Sequence, residues 1–162
     1  MTDDDIKDGF RNAMRRLATT IALVTAGRGE GWTGMAATAV MSVCAEPPTL
    51  LTAVNRSASI HPVLSEGSHF CVNLLADRHR DLVGIFSGQK KGRARFETGG
   101  WIEGPDGIPV LQDALASMVC RTTQTIDIGT HTLFIGEVEQ VLNHDEINPL
   151  VWVDGTFANA AR

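Results

Sequence analysis

The stretch that decides the fold reads Gly34-Met35-Ala36-Ala37-Thr38-Ala39-Val40-Met41-Ser42-Val43, continues through Glu46-Pro47-Pro48 and an apolar run, and ends in Asn55-Arg56-Ser57-Ala58-Ser59-Ile60-His61. Small residues and hydroxyls come first, a strand follows, and a polar loop with one fixed positive charge closes the segment. This order suits a flat aromatic cofactor that carries a phosphate. An ordinary tight strand followed by a helix-capping turn would have a similar composition.

The hydroxyls and the arginine of this stretch indicate what such a cofactor would contact. Small residues let the backbone approach the edge of a ring closely, and hydroxyls or amides hydrogen-bond ring heteroatoms. Thr38 and Ser42 are therefore candidates to contact the ring or the ribityl chain of a flavin. The planar fork of arginine matches phosphate geometry, so the candidates for the phosphate are Asn55, Arg56, Ser57 and Ser59.

Composition limits the class of protein. The chain has 162 residues with 43% hydrophobic and 20% charged residues, which is typical of a soluble globular protein and predicts a single domain over residues 1–162. The net charge of -5 argues against a nucleic-acid partner. There is no apolar run of the roughly 20 residues that a membrane span needs, and the N-terminus is acidic, so we expect no membrane association and a cytoplasmic location.

Several chemistries are disfavoured by the spacing of residues. Cys44, Cys71 and Cys120 are odd in number and widely spaced in apolar settings, so we expect buried free thiols. The histidines and cysteines lack the close spacing of zinc sites, and we expect no metal. No Gly-x-Gly-x-x-Gly motif joins a strand to a helix, so a nicotinamide cofactor would bind without a Rossmann domain.

Hydrophobic periodicity predicts mostly strands. An amphipathic first helix begins at a capping box of Thr2 and Asp5, and we expect its apolar stripe to pack on the domain. Short helices are predicted to begin at His61-Pro62 and near Arg78, the second ending at Ser87-Gly88. Residues 89–109 read as a long surface excursion that Phe96 and Trp101 anchor. The predicted strands are 19–25, one from Trp32, 49–54 with both faces buried, 70–75, 117–127, 132–142 and 150–153.

Six or seven strands with two or three inserted helices predict a mainly β (α+β) fold, an antiparallel barrel with helices packed outside. Regular alternation of strands and helices is missing, which disfavours a doubly wound parallel sheet. No fixed period repeats along the chain, which disfavours a solenoid or propeller.

Seven short motifs, in order along nearly the whole chain, carry a family resemblance. They are Gly34-Met35-Ala36-Ala37-Thr38-Ala39-Val40, Pro47-Pro48-Thr49-Leu50-Leu51, Asn55-Arg56-Ser57-Ala58-Ser59, Phe70-Cys71-Val72-Asn73, Phe86-Ser87-Gly88, Arg95-Phe96 and Gly129-Thr130-His131-Thr132. With them the chain resembles the flavin reductase-like, FMN-binding split-barrel family, the small flavin reductases of two-component monooxygenases. The resemblance implies a split antiparallel β-barrel with flanking helices, assembled as a homodimer.

The resemblance also implies roles for individual residues. It places Met35, Ala36, Thr38 and Ser42 along the isoalloxazine ring and ribityl chain, and Asn55, Arg56, Ser57 and Ser59 near the ribityl and phosphate groups. Phe86, Ser87 and Gly88 would close the far side. In relatives a Gly-Thr-His turn lies where the nicotinamide nucleotide docks, so His131 is the candidate catalytic residue, acting by positioning; a turn histidine bonded to nearby backbone is the alternative.

Three assignments stay open. His61 either contacts the cofactor or only begins a helix, and the basic group from Lys90 to Arg95 either meets the adenosine part of a dinucleotide or is a solvated loop. Cys44, where relatives have a small hydroxyl residue, is expected to be buried. Relatives commonly carry an arginine and a tyrosine after the final strand; this chain has Asp154-Gly155-Thr156-Phe157 instead, with Phe157 as the candidate stacking residue.

The implied activity is an NAD(P)H-dependent flavin reductase. Hydride would pass from nicotinamide to FMN or FAD, with NADH or NADPH as co-substrate, and reduced flavin would go to a separate oxygenase. A flavin-binding electron carrier on the same barrel is the alternative, and an oxidase of the pyridoxamine phosphate type is a third reading that would need more basic residues.

Overall fold

The computed structural model describes residues 1–161 as twelve strands and three α-helices joined by short turns. The helices are α1 (Asp3–Met14), α2 (His61–Glu66) and α3 (Arg80–Gly84). The strands are β1 (Thr19–Thr20), β2 (Ala22–Ala26), β3 (Thr33–Ala37), β4 (Val40–Ala45), β5 (Pro48–Asn55), β6 (His69–Leu74), β7 (Trp101–Glu103), β8 (Pro109–Leu111), β9 (Ala116–Ile128), β10 (His131–Asn143), β11 (Leu150–Val153) and β12 (Thr156–Asn159). A π-helical turn, Ile85–Gln89, continues α3.

Seven strands form the main sheet, in the order β3-β2-β6-β9-β10-β5-β4, with every neighbouring pair antiparallel. Smaller sheets are formed by β1-β11-β12 and by β7-β8. The mainly β, antiparallel prediction is confirmed. Gly27–Gly31 lies between β2 and β3 as the glycine content predicts. Helix α2 lies between β5 and β6, and α3 lies between β6 and β7.

The main sheet must curl into a barrel. β3 and β4 lie at its opposite edges, yet only Thr38 and Ala39 separate them in the chain. The three Cα–Cα steps from Ala37 to Val40 span at most about 11 Å, so the edges must approach each other at this point. The barrel is therefore split between β3 and β4, within residues 34–43.

Two apolar clusters hold the barrel and its flanks together. The barrel cluster includes Val24, Val54, Phe70 and Phe134, each fully buried. The flank cluster joins β2 and β11 to the α3 region and includes the buried residues Leu23, Leu82, Phe86, Leu111 and Leu150. Phe96 lies 4.8 Å from Trp101 and 5.3 Å from Phe86 between ring centroids, so both predicted anchors of the 89–109 segment are confirmed.

A fully buried amide, that of Asn73 on β6, ties four segments together. Its Nδ2 donates to the Leu23 carbonyl at 3.0 Å and to Thr25 Oγ1 at 3.1 Å. Its Oδ1 accepts from the Leu111 backbone N–H at 2.9 Å and from Ser117 Oγ at 3.0 Å. Strands β2, β6, β8 and β9 therefore meet at one side chain whose hydrogen-bonding capacity is satisfied.

Three sequence expectations were wrong. Helix α1 forms with its Thr2–Asp5 capping box, but it buries no residue, and Phe10 is 64% exposed. The strand predicted over 49–54 does not bury both faces, because buried and half-buried positions alternate along β5. Cys44 is exposed, since β4 is an edge strand, whereas Cys71 and Cys120 are buried free thiols as expected.

The described residues contain no helix long and apolar enough to cross a membrane. Over the same residues, no group of three or more His, Cys, Asp and Glu side chains is arranged to hold a metal ion.

Candidate active site

Pairing of β5 with β10 brings the two predicted halves of the site together. His131 lies opposite Asn55, and Thr132 lies opposite Val54. The backbone N–H of Arg56 donates to the Thr130 carbonyl at 2.9 Å, and its guanidinium donates to the Gly129 carbonyl. The Asn-Arg-Ser loop and the Gly-Thr-His turn are therefore neighbours in space, although about 70 residues separate them in sequence.

The loop after β5 is shaped by its own first side chain. Asn55 Oδ1 accepts hydrogen bonds from the backbone N–H of Ser57 at 2.9 Å and from Ser57 Oγ at 2.8 Å. Such a turn is why Asn favours this position. Ser59 is exposed in the same loop, two residues before α2 begins.

A chain of polar contacts joins this loop to the β9-β10 turn. Thr132 Oγ1 donates to Asp127 Oδ1 at 2.8 Å, so it accepts from His61 Nε2, which lies 2.8 Å away. Asp127 in turn lies 3.9 Å from the guanidinium of Arg56. His61 thus begins α2 and holds the loop against β10; its contact with a cofactor stays a prediction.

His131 is exposed at the first position of β10. Its Nδ1 lies 2.8 Å from Thr130 Oγ1, which leaves Nε2 free of any recorded protein partner among residues 1–161. The predicted turn at Gly129-Thr130-His131 is present and is one residue shorter than expected, because β9 ends at Ile128 and β10 already begins at His131. The predicted docking of a nicotinamide at His131 is compatible with this exposure and stays a prediction.

The four residues assigned to the flavin ring lie on both sides of the split in the barrel. Met35 and Ala36 are half-buried on β3, Thr38 is exposed in the connection, and Ser42 is exposed on β4. Thr38 accepts through its carbonyl from the Val40 N–H at 2.9 Å, which makes the reversal tight. Small side chains and accessible hydroxyls at a barrel opening are what a ring edge requires.

The predicted far side of the site divides into two environments. The ring of Phe86 is 3% exposed within the flank cluster, while Ser87 and Gly88 are exposed in the π-helical turn. Phe157 lies on β12, in the three-stranded sheet, where its ring is 5.2 Å from that of Trp152 and 5.1 Å from the guanidinium carbon of Arg80. Phe157 therefore lies in a different sheet from His131.

A cavity of about 450 Å³ joins the far side to the phosphate loop. Ser59 and Gly88 line it together with Glu30, Gly31, Trp32, Thr33, Lys91, Gly92 and Arg95. Sequence reasoning had placed Arg95 in a basic loop, yet the residue is 7% exposed. No local sequence pattern signals this burial, because it depends on the packing of Phe96 against Phe86 and Trp101.

Arg95 is weakly satisfied by the protein. Its two terminal nitrogens lie 3.4 Å from Thr33 Oγ1 and from Ser59 Oγ, and its Nε has no hydrogen-bond partner. Desolvation lowers the pKa of the guanidinium from its ordinary value, although arginine stays charged in proteins. Together with the small residues and hydroxyls at the split, this donor set fits a flavin that carries a phosphate.

These features define a flavin-binding protein built on an antiparallel barrel, and comparison with known proteins gives the same class. Residues 14–161 match the model of the flavin reductase like domain, and the chain belongs to this family. The family predicted from seven motifs is confirmed.

Particular relatives are similar over nearly their whole length. The chain is 40% identical over 147 residues to the FMN reductase (NADH) RutF of Stutzerimonas stutzeri, covering 91% of this chain and 84% of that protein. The NADH:FAD oxidoreductase SgcE6 of Streptomyces globisporus, solved with NAD and FAD fragments, superposes with a TM-score of 0.90 at 26% identity, covering 99% and 96% of the two chains. BorF, the flavin reductase component of a bacterial two-component tryptophan halogenase, gives a TM-score of 0.86 at 28% identity, covering 94% and 97%. The split-barrel fold is thereby confirmed.

Proposed function

We propose that this protein is an FMN reductase that uses NADH. One observation carries the proposal: membership of the flavin reductase family with 40% identity to an FMN reductase (NADH) over 91% of the chain. The balanced reaction is NADH + H⁺ + FMN → NAD⁺ + FMNH₂. The flavin and the nicotinamide supply the hydride chemistry themselves.

The residues of this chain bind and orient the two reactants. Met35, Ala36, Thr38 and Ser42 would hold the ring and ribityl chain at the split of the barrel. The loop from Asn55 to Ser59 would hold the phosphate side, and His131 would position the nicotinamide from the adjoining turn. Hydride transfer needs no general acid or base, so the protein acts by alignment and by excluding water from the reacting faces.

Assembly and partners are part of the same proposal. We infer a homodimer and a separate oxygenase that receives the reduced flavin. BorF is a component of a two-component halogenase, and the apolar stripe on α1 is exposed in the single chain, with Ile6 at 53% and Phe10 at 64%. A single domain over residues 1–162 and a cytoplasmic location, both predicted from the sequence, stay predictions.

The activity test follows NADH oxidation by absorbance with an excess of free FMN, and repeats it with FAD and with NADPH. We expect turnover with many FMN molecules per enzyme and a higher kcat/KM for NADH than for NADPH. Tight flavin binding without NADH consumption would instead identify an electron carrier. Oxidation of pyridoxamine phosphate without flavin turnover would identify the third class.

The role of His131 is tested with His131→Ala and with His144→Ala as a matched histidine control. His144 is exposed and bonds the Gln112 carbonyl, away from the β9-β10 turn. A positioning role predicts a KM for NADH raised about tenfold in His131→Ala, because one hydrogen bond to the dinucleotide is lost, with flavin affinity unchanged. Equal kinetics for both variants would leave His131 as an ordinary turn residue.

A further inference from the structure

Arg95 is a buried arginine, 7% exposed, that no carboxylate accompanies, whereas more exposed arginines of the chain are paired. Arg78 and Arg121 each contact two carboxylates. Arg95 is the most buried of the three residues, and its recorded polar contacts among residues 1–161 are the two hydroxyls at 3.4 Å. A guanidinium buried without a counter-charge is unfavourable unless something anionic completes its surroundings.

The cavity in which Arg95 lies has the charge to accept an anion. Its ionic lining consists of Arg95, Lys91 and Glu30, a net charge of +1 if all three are ionised. Lys91 has no ion pair recorded within residues 1–161, whereas its neighbour Lys90 pairs with Glu97 at 3.5 Å. Ser59, whose hydroxyl faces Arg95, belongs to the loop assigned to the flavin phosphate.

Arg56, the arginine that the sequence analysis assigns to the phosphate, already contacts other groups of the protein. The guanidinium of Arg56 donates to the Gly129 carbonyl and lies 3.9 Å from Asp127, and its side chain is 47% exposed. These contacts fasten the β9-β10 turn to the loop. They leave the buried, unpaired cation at Arg95 as the better electrostatic partner for a phosphate.

We propose that Arg95 binds the flavin phosphate in the cavity that it lines together with Ser59, Thr33 and Gly88. The inference rests on the proposed function, because it assumes that the ligand is a phosphorylated flavin. Arginine can present Nε and a terminal nitrogen side by side to two phosphate oxygens. The unpartnered Nε of Arg95 is the donor that this geometry requires.

The first experiment compares FMN with riboflavin, which lacks only the phosphate, by quenching of flavin fluorescence with the wild-type protein. We expect FMN to bind at least about tenfold more tightly, since hydrogen bonds to charged groups are the strong ones. Equal affinities would overturn the proposal. If neither flavin binds, the proposed function itself fails.

The second experiment repeats the titrations with Arg95→Gln and with Arg93→Gln. Arg93 lies in the same turn and suits a control, because its guanidinium carbon is 4.1 Å from the Trp32 ring centroid and it donates to the Gly29 carbonyl. Arg95→Gln should weaken FMN binding by about 10- to 100-fold and riboflavin binding by less than about threefold. Arg93→Gln should change both affinities by about twofold or less.

A third variant keeps the proposal testable if Arg95→Gln does not fold. If Arg95→Gln also loses riboflavin binding and its thermal transition, Arg95→Lys keeps the charge without the fork, and it should retain riboflavin binding while losing most of the preference for FMN. Retention of the wild-type preference in either folded variant would overturn the proposal. A raised KM for NADH with unchanged FMN affinity would assign Arg95 to the dinucleotide and would also overturn it.

Discussion

Two arginines of the site carry the same charge in opposite surroundings. Sequence reasoning chose Arg56, because it stands in a loop of Asn and Ser, and passed over Arg95 as part of a basic run. Burial of Arg95 depends on the packing of Phe96 against Phe86 and Trp101, a contact between segments that no local pattern encodes. The sequence therefore predicted that an arginine would bind the phosphate, but it did not predict which arginine is buried.

The hydroxyl of Thr132 is the link that we expect to matter most for the shape of the phosphate loop. Thr132 is 3% exposed and bridges His61 and Asp127. Thr132→Val keeps the shape and removes the bridge, so it should destabilise the fold by about 1 to 3 kcal/mol and weaken FMN binding several-fold. Urea unfolding and flavin titration measure the two effects.

Thr123→Val is the matched control for Thr132→Val. Its hydroxyl is exposed and bonds only the Ile135 carbonyl, at 3.2 Å. We expect a change in stability within about 0.5 kcal/mol. Equal losses in both variants would show that the His61–Thr132–Asp127 chain does not hold the loop.

The buried thiols give a second prediction at this scale. Burial, with the charge of Glu139 second, raises the pKa of Cys120 to about 12, and burial raises the pKa of Cys71 well above its ordinary value. The thiolate is the reactive form, so in Cys44→Ser neither remaining thiol should react with a disulfide reagent at pH 8 before the protein unfolds. The measurement is absorbance of the released thiol with and without urea, and fast reaction in the native variant would contradict the prediction.

The sequence predicted the elements whose apolar residues recur at a regular period, but it did not predict what those elements pack against. The pattern of α1 specified a helix with an apolar stripe, and the helix is there, but nothing in the single chain covers the stripe. The helix predicted to begin near Arg78 does stop at Ser87-Gly88, because Gly88 adopts a non-helical φ of 120° within the π-helical turn Ile85–Gln89 that follows α3.

This turn depends on glycine, because an L side chain is strained at a φ of 120°. Gly88→Ala should cost about 1 to 3 kcal/mol of stability and should weaken FMN binding, since Gly88 lines the cavity that Arg95 occupies. Thermal unfolding and fluorescence titration are the measurements.

Gly100→Ala serves as the control, because a Cβ there would meet nothing within 4 Å and φ is not in the left-handed region. We expect its stability and its FMN affinity to stay near those of the wild type. A Gly88→Ala protein with wild-type stability and affinity would mean that the turn adjusts freely.

At the scale of the whole molecule, alternation of apolar residues predicted the antiparallel sheet. The closure of that sheet into a barrel follows instead from the order of its strands. Turn composition and the positions of most main-sheet strands are local properties and could be taken from the sequence. The count of six or seven strands was too low, because β4, β7, β8 and β12 were not predicted. That β3 and β4 lie at opposite edges could not be taken from the sequence, because it depends on which strands pair across long separations, such as β6 with β9. The family motifs supplied this information indirectly.

The proposed homodimer accounts for the uncovered α1 stripe and is testable by mass. Light scattering should give twice the chain mass of 17.4 kDa. Phe10→Asp should shift the protein to a monomer, because a charge would replace a contact that is apolar in the dimer.

Ile102→Asp is the matched control for Phe10→Asp, since Ile102 is 39% exposed on β7, away from α1. It should leave the mass unchanged. A wild-type monomer, or a dimer unaffected by Phe10→Asp, would show that the partner does not cover the stripe.

Asn73 has a consequence for how the chain finds its pairing. Sliding a strand by two residues keeps every side chain on its own face, so hydrophobic alternation cannot reject such an error. The Asn73 amide can, because any slip of β2, β8 or β9 would leave buried donors and acceptors unmatched. The Asn73 amide therefore fixes the register of β2, β8 and β9 against β6.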